Sequence, residues 1–179
     1  MPTARSAALL VARPDAVAGP LLLIGHMGGP FWARKDAGAW SIPKGEHASD
    51  EPAEAAARRE LAEETGYVWP VAAPLVDLGE FRQSRKVVRV FLGVEPATPD
   101  GGTAAPWDLD AFTCNTFDVE WPPRSGVVRT FPELDRVGWV STQIARTLLV
   151  AGQIPAVDAA VGRLGGESRD PEAARYRAL

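Results

Sequence analysis

The chain opens with two short apolar runs, Ala7 to Ala12 and Leu21 to Ile24, separated by Arg13 to Pro20. Runs of this length bounded by turn residues read as buried strands, and the intervening Pro, Asp and Gly predict a hairpin. Gly28-Gly29-Pro30 breaks the pattern, and Phe31 to Ala39 mixes aromatic and basic residues as a loop does. Trp40-Ser41-Ile42 is a strand-like piece stopped by Pro43. The composition then changes. Ala53 to Thr65 is rich in Ala, Glu, Arg and Leu, the strongest helix formers, and predicts a helix. Asp50 is its expected N-cap, Pro52 suits its first turn and Gly66 its end. Leu75 to Phe81 and Lys86 to Val94 read as strands around a polar turn, Arg82 to Arg85.

Farther on, Pro96 to Pro106 predicts a surface loop, Phe112 to Trp121 a strand, Pro122 to Gly126 a second loop and Val137 to Val140 a last short strand. Ser141 is placed to cap a helix to about Ala151, and Pro155 to start another to about Leu164. Gly165 to Leu179 is polar and is expected to fray. With no internal repeat and no long linker, residues 1–179 read as one domain with a loosened tail from about 165.

Hydrophobic residues make up 46% of the 179, enough for a core, which excludes a disordered chain. The net charge of −4 argues against binding a nucleic-acid polymer, which calls for a basic face. It is compatible with a small nucleotide held by a metal and a few cations. One cysteine, Cys114, allows neither an internal disulfide nor a Cys-based zinc site, and suggests a reducing compartment. The apolar stretch within Met1 to Val11 is too short to span a membrane and lacks a cleavage site. The expectation is a cytoplasmic protein with no membrane partner; a homodimer is compatible with the sequence but not readable from it.

The predicted helix carries an anomaly. At 100° per residue, with Glu60 at zero, Glu63 falls at about −60° and Glu64 at about +40°, so the three share an arc of about 100°. Ala53, Ala56 and Ala57 lie in or beside that arc, so nothing bulky covers it. A solvated acidic face is the ordinary reading of a Glu-rich helix. Here Glu60 and Glu64 repel at i,i+4, by about 0.2–0.5 kcal/mol. The acids also crowd the helix C-terminus, where the macrodipole favours cations by about 0.3–1 kcal/mol each. Carboxylates concentrated at the wrong end of a helix point to a counter-cation, and hard oxygen ligands suit magnesium, manganese or calcium. Upstream, Pro43-Lys44-Gly45-Glu46 places a glycine where backbone can approach a metal or phosphate closely.

Taken together, these residues resemble the Nudix hydrolase signature: Gly, five residues, Glu, seven residues, Arg-Glu, an aliphatic, any residue, Glu-Glu, any residue, Gly, then an aliphatic. Gly45, Glu51, Arg59, Glu60, Leu61, Glu63, Glu64 and Gly66 meet it without a gap. Tyr67 stands where an aliphatic is usual, at a position expected to pack. The order of strands from Ala7 to Val140 is similar to the family's α/β fold, an α/β/α sandwich around a mixed sheet. Phe31 to Gly45 and Phe117 to Arg124 resemble a bacterial branch described as predicted NTP pyrophosphohydrolases.

The resemblance implies Mg2+-dependent hydrolysis, with Mn2+ as a substitute, of a nucleoside diphosphate linked to another group X. The candidates are a nucleoside triphosphate and a dinucleoside polyphosphate. It implies metal ligation by Glu60, Glu63 and Glu64, with the Gly45 carbonyl a further ligand. Glu51 and Arg59 would pair to orient the helix face, and Lys44 would sit near the phosphates. Arg59, Glu60 and Glu63 are the catalytic candidates on the helix. For the general base, the candidates are Glu63, or Glu120 or Glu133 outside the signature, with Glu120 preferred beside Trp121 and Pro122-Pro123. Trp32, with Phe31, Trp40, Phe117 and Trp121, is a candidate to stack a base. Arg34, Lys86 and Arg124, with Arg82, are candidates for outer phosphates. His26 and His47 have no metal-type spacing and are expected to pack or sit at the surface. A non-catalytic nucleotide-binding or regulatory module of the same fold is the alternative, though such a module has no need to keep Glu60, Glu63 and Glu64 together.

Overall fold

The computed structural model describes residues 4–83, 86–104 and 106–179. Strands β1 (Ala4–Arg13) and β2 (Leu21–Met27) form the expected hairpin, but they pair only near its turn, Ala12 with Leu22 and Arg13 with Leu21. Beyond that point they part. The short strands β3 (Trp40–Ser41) and β4 (Lys44–Glu46) fill the gap, β3 on β2 and β4 on β1. Gly45 therefore lies inside the sheet, opposite Ala7.

Strands β5 (Val76–Gln83), β6 (Lys86–Val94), β9 (Leu134–Ser141) and β10 (Ala174–Ala178) complete the sheet in the order β10-β9-β2-β1-β6-β5. β1 and β6 run parallel and the other neighbours antiparallel, which makes the sheet mixed. Both faces are covered, as the unbroken apolar runs require. Ala7, Leu9 and Val11 face helix α1 (Ala53–Thr65), while Ala8, Leu10 and Ala12 face α2 (Thr142–Leu148) and α3 (Ile154–Leu164). This is the α/β/α sandwich expected from the sequence.

Several local expectations change. Asp50 does not cap α1. Pro52 occupies the N-cap and offers no side-chain hydrogen bond. The strand expected over Phe112 to Trp121 is shorter. A 3-10 turn at Leu109–Ala111 precedes β7 (Thr116–Glu120), which among the described residues pairs only with β8 (Val128–Pro132), a strand the polar residues had concealed. The turn residues 84 and 85 of the expected Arg82 to Arg85 turn lie outside the described residues. Val137 to Val140 is not the last strand. The tail from 165 does not fray; β10 pairs with β9 from Ala174–Val140 to Ala178–Arg136. Its polarity is that of an edge strand, with Arg175 and Arg177 exposed. Ser168, buried, fastens the segment before it by donating to the Pro20 carbonyl and accepting from Thr142 N–H at 2.9 Å.

Candidate active site

Helix α1 crosses the sheet over the point where β4 is inserted. Ala56 and Ala57 are fully buried, and their small side chains let the helix lie close to β1 and β4. The arc shared by the carboxylates is thus the inner side of the helix. Glu60 and Glu64 are each only 8% exposed, and Glu63 is half-buried. Gly45 makes the fit with β4 tight. A Cβ built there would lie 2.0 Å from the Glu60 carboxyl carbon and 2.1 Å from both its oxygens. The neighbouring Lys44 N–H donates to Glu64 Oε2 at 3.1 Å.

Burial acts on this group in the sense expected of charges removed from water. Desolvation raises the pKa of Glu60, against the opposing Arg59 guanidinium. It pushes Glu64 up to about 8, against Lys44. Burial lowers the pKa of Lys44, partly offset by Glu64. Two buried carboxylates and a half-buried ammonium in one place are held at a cost in solvation.

Arg59 organises the outer side. Its Nε donates to Glu51 Oε1 at 2.9 Å and its Nη2 to Glu51 Oε2 at 3.1 Å. Its Nη1 reaches Glu60 and, at 3.0 Å, Glu63 Oε2. These contacts hold the Arg59 pKa above its ordinary value, the Glu51 hydrogen bonds contributing most. Among the described residues, no three acidic, thiol or imidazole side chains converge to metal-binding distance. On the helix itself, the Arg59 guanidinium bridges Glu60 and Glu63. The donor chemistry nevertheless fits a hard divalent cation. All the candidate donors are oxygens, two of the carboxylates are desolvated, and Gly45 brings backbone close to Glu60.

The end of α1 also places a residue from far along the chain. Gly66 takes the left-handed conformation, φ 76°, and its N–H returns to the Ala62 carbonyl at 2.9 Å. Two further free carbonyls of the last turn are taken by an extended strap. Thr113 N–H donates to Thr65 at 3.2 Å and Asn115 N–H to Glu63 at 3.0 Å. The Asn115 carbonyl then accepts from Glu133 N–H at 2.9 Å, and the Glu133 carbonyl accepts from Gly28 N–H at 2.8 Å. Glu133 is thereby held where its charge acts on Glu60, Glu64 and Lys44.

Beside it opens a cavity of about 240 Å3, lined by Lys44, Glu64 and Glu133 on the polar side and Trp32, Phe117 and Met27 on the apolar side. Of the aromatic candidates, Trp32 and Phe117 thus face a ligand-sized space. Trp40 is in the core, and Phe31 and Trp121 pack edge to face on each other at 5.2 Å. Glu120 is exposed at the β7–β8 turn, where it accepts from Gly126 N–H at 2.9 Å. Arg34 is exposed on the loop before β3, and Arg124 on the β7–β8 turn with φ 66°. Arg82 is exposed on β5. Lys86 begins β6, near enough to Lys44 to lower its pKa. Sequence reasoning missed Met27 and Ser41 as lining residues, together with the strap. Gly28-Gly29 was the available signal, because a chain that dispenses with side chains there is making room for neighbours.

The model of the NUDIX domain family matches residues 2–157. No curated protein matches the chain. Among solved structures it is similar to the Ap4A hydrolase of C. elegans, at 15% identity and a TM-score of 0.57, over 90% of this chain and 98% of that one. A mutT/nudix family protein from Listeria innocua is similar at 19% identity and 0.54, over 92% and 96%. So is a bifunctional NMN adenylyltransferase/ADP ribose pyrophosphatase from Francisella tularensis, complexed with AMP and a manganese ion, at 18% and 0.53, over 92% of this chain and 42% of that one. At such identities the likeness speaks for the fold, and the family match covers most of the sequence. The chain belongs to the NUDIX domain family.

Proposed function

We propose that the protein hydrolyses a diphosphate bond in a nucleoside diphosphate linked to X, with a nucleoside triphosphate or a dinucleoside polyphosphate as substrate, as in the NTP pyrophosphohydrolase branch. The observation that carries this reading is the pair of buried carboxylates, Glu60 set against Gly45 and Glu64 lining a cavity walled by aromatic rings. Glu60, Glu63 and Glu64, with the Gly45 carbonyl, would hold Mg2+, or Mn2+ in its place. A bound divalent cation supplies charge neutralisation for the diphosphate and acidifies water. Lys44 adds a second positive charge for phosphate oxygens. Trp32 and Phe117 take the planar base, and Lys86, Arg34 and Arg124 are placed on surrounding elements for outer phosphates. Glu133, held by the strap beside Glu64, takes the proton of the attacking water; Glu120 is committed to its own turn. Arg59 orients the helix face through Glu51 rather than touching substrate.

The test is incubation with Mg2+ and a panel of nucleotides, with products separated by chromatography. Turnover of at least one member is expected, with loss of most activity and weaker metal binding in Glu64→Gln. Full activity in that variant overturns the site. Nucleotide binding without any turnover overturns the reaction in favour of a binding module.

A further inference from the structure

His26 is fully buried, yet both of its ring nitrogens are engaged. Nε2 lies 2.8 Å from the Lys35 carbonyl, which can only accept, so Nε2 donates. Nδ1 lies 2.6 Å from Asp135 Oδ1 on β9. The ring stands edge to face on Trp40 at 5.4 Å, and Trp40 Nε1 donates to Asp36 Oδ1 at 2.8 Å. Arg136 lies beside the same group, with its guanidinium 3.7 Å from Asp135 and 3.5 Å from Asp36.

These contacts converge on the segment between Gly29 and Ala39. Its outer residues Phe31, Ala33, Arg34, Lys35, Asp36, Ala37 and Gly38 are exposed, and its apolar attachment is confined to Trp32, partly buried against the core, and Ala39 at its end. Backbone bonds within it, such as Lys35 N–H to Trp32 at 2.7 Å, shape the loop but do not attach it. Among the described residues, the hydrogen bond that joins residues 30–35 to the body of the protein is the one from His26. The Phe31–Trp121 contact touches only the exposed β7–β8 hairpin. Trp32, which walls the cavity opposite Glu64, rides on this loop.

We infer that His26 is a positioning residue: bridging Asp135 and the Lys35 carbonyl, it latches the 29–39 loop so that Trp32 is presented to the substrate. The role rests on the proposed function only for its effect on substrate. The latch itself is testable without turnover, because Arg34 and Lys35 are exposed tryptic sites within the loop.

The experiment is limited trypsinolysis of the full chain, with fragments assigned by mass, alongside steady-state kinetics on whichever nucleotide is turned over. In His26→Leu, cleavage after Arg34 and Lys35 is expected to rise about threefold, from a latch equilibrium shifted about tenfold by losing one buried hydrogen bond. Cleavage after Arg58 and Arg146, in helices, should stay slow. KM should rise about threefold with kcat within about twofold, because the same shift lowers the latched fraction in proportion. His26→Gln, which keeps an amide donor for Lys35, should recover part of both effects. Asp135→Ala, which removes the partner of Nδ1, should move both in the same direction, and it decides the matter if His26→Leu does not fold. The inference is overturned if loop cleavage is unchanged in both variants, if it rises equally at every site, or if it rises with KM unaltered. Should the unmodified protein turn over no nucleotide, the proposed function fails alone, and loop-specific cleavage still decides the latch.

Discussion

Replacing Gly45 by Ala separates the site from the fold, because the one methyl group acts on them differently. Its Cβ would lie 2.0 Å from the Glu60 carboxyl carbon. Non-bonded carbons rest about 3.5–4.0 Å apart, so the carboxylate must withdraw by about 1.5 Å. The backbone does not resist the change, since Gly45 lies in β4 without a positive φ. Alanine is favoured over glycine within a strand by about 0.5–1 kcal/mol. Glu60 also regains solvation as it leaves its buried position, since desolvation is what raises its pKa. Stability should therefore change by no more than about 1 kcal/mol. Catalysis has no such compensation. A ligand displaced by over 1 Å costs about 10²-fold, or about 2.7 kcal/mol of transition-state stabilisation. Urea unfolding and kcat/KM with Mg2+, measured on the same preparation, should show a nearly unchanged midpoint and a loss of at least that size. An unfolded variant would mean that the glycine serves packing. A folded variant of full activity would refute the claim that Glu60 must stand where it does.

Glu133→Gln should lower kcat by about 10²–10⁴, the usual worth of a positioned general base, with Glu120→Gln close to the parent; the reverse order would return the base to the hairpin. Tyr67→Phe removes the hydroxyl that donates to buried Glu95 Oε1 at 2.8 Å, leaving Arg13 and Trp107 N–H as its partners. A hydrogen bond to a buried charge is worth about 1.5–3 kcal/mol, so the urea midpoint should fall at unchanged slope, and an unmoved midpoint would count against that network. Glu167 is held below the ordinary carboxylate value of 4.5 by hydrogen bonds from the Arg146 guanidinium and the Thr142 hydroxyl. A depressed folded pKa adds stability that is present above the ordinary value and lost as pH falls through the folded one. Melting temperature should thus drop on acidification below about pH 4.5, less steeply in Glu167→Gln; parallel curves would exclude the contribution.

Periodicity and composition were enough to find α1 to the residue, because Ala, Arg and Glu set its body and Gly66 its end without help from elsewhere. The apolar runs of β1 and β2 likewise announced strands buried on both faces. The signature residues from Gly45 to Gly66 were legible because they are local, and one helix turn fixes which of them share a face. What failed was non-local. β8 and β10 carry polar residues because they lie at exposed edges, so only their pairing makes them strands. Asp50 lost the cap to Pro52, two residues on. The parting of β1 and β2 that sets Gly45 under Glu60 left no periodic trace. Nor did the strap that brings Glu133 beside Glu64, or the bridge from His26 to Lys35 and Asp135. The sequence by itself determined which groups could carry charge and metal, since that is a matter of residue type and helical spacing. Only the tertiary structure decided which of them are desolvated and which aromatic rings face them, because burial and proximity between distant segments exist only once the sheet has closed around them.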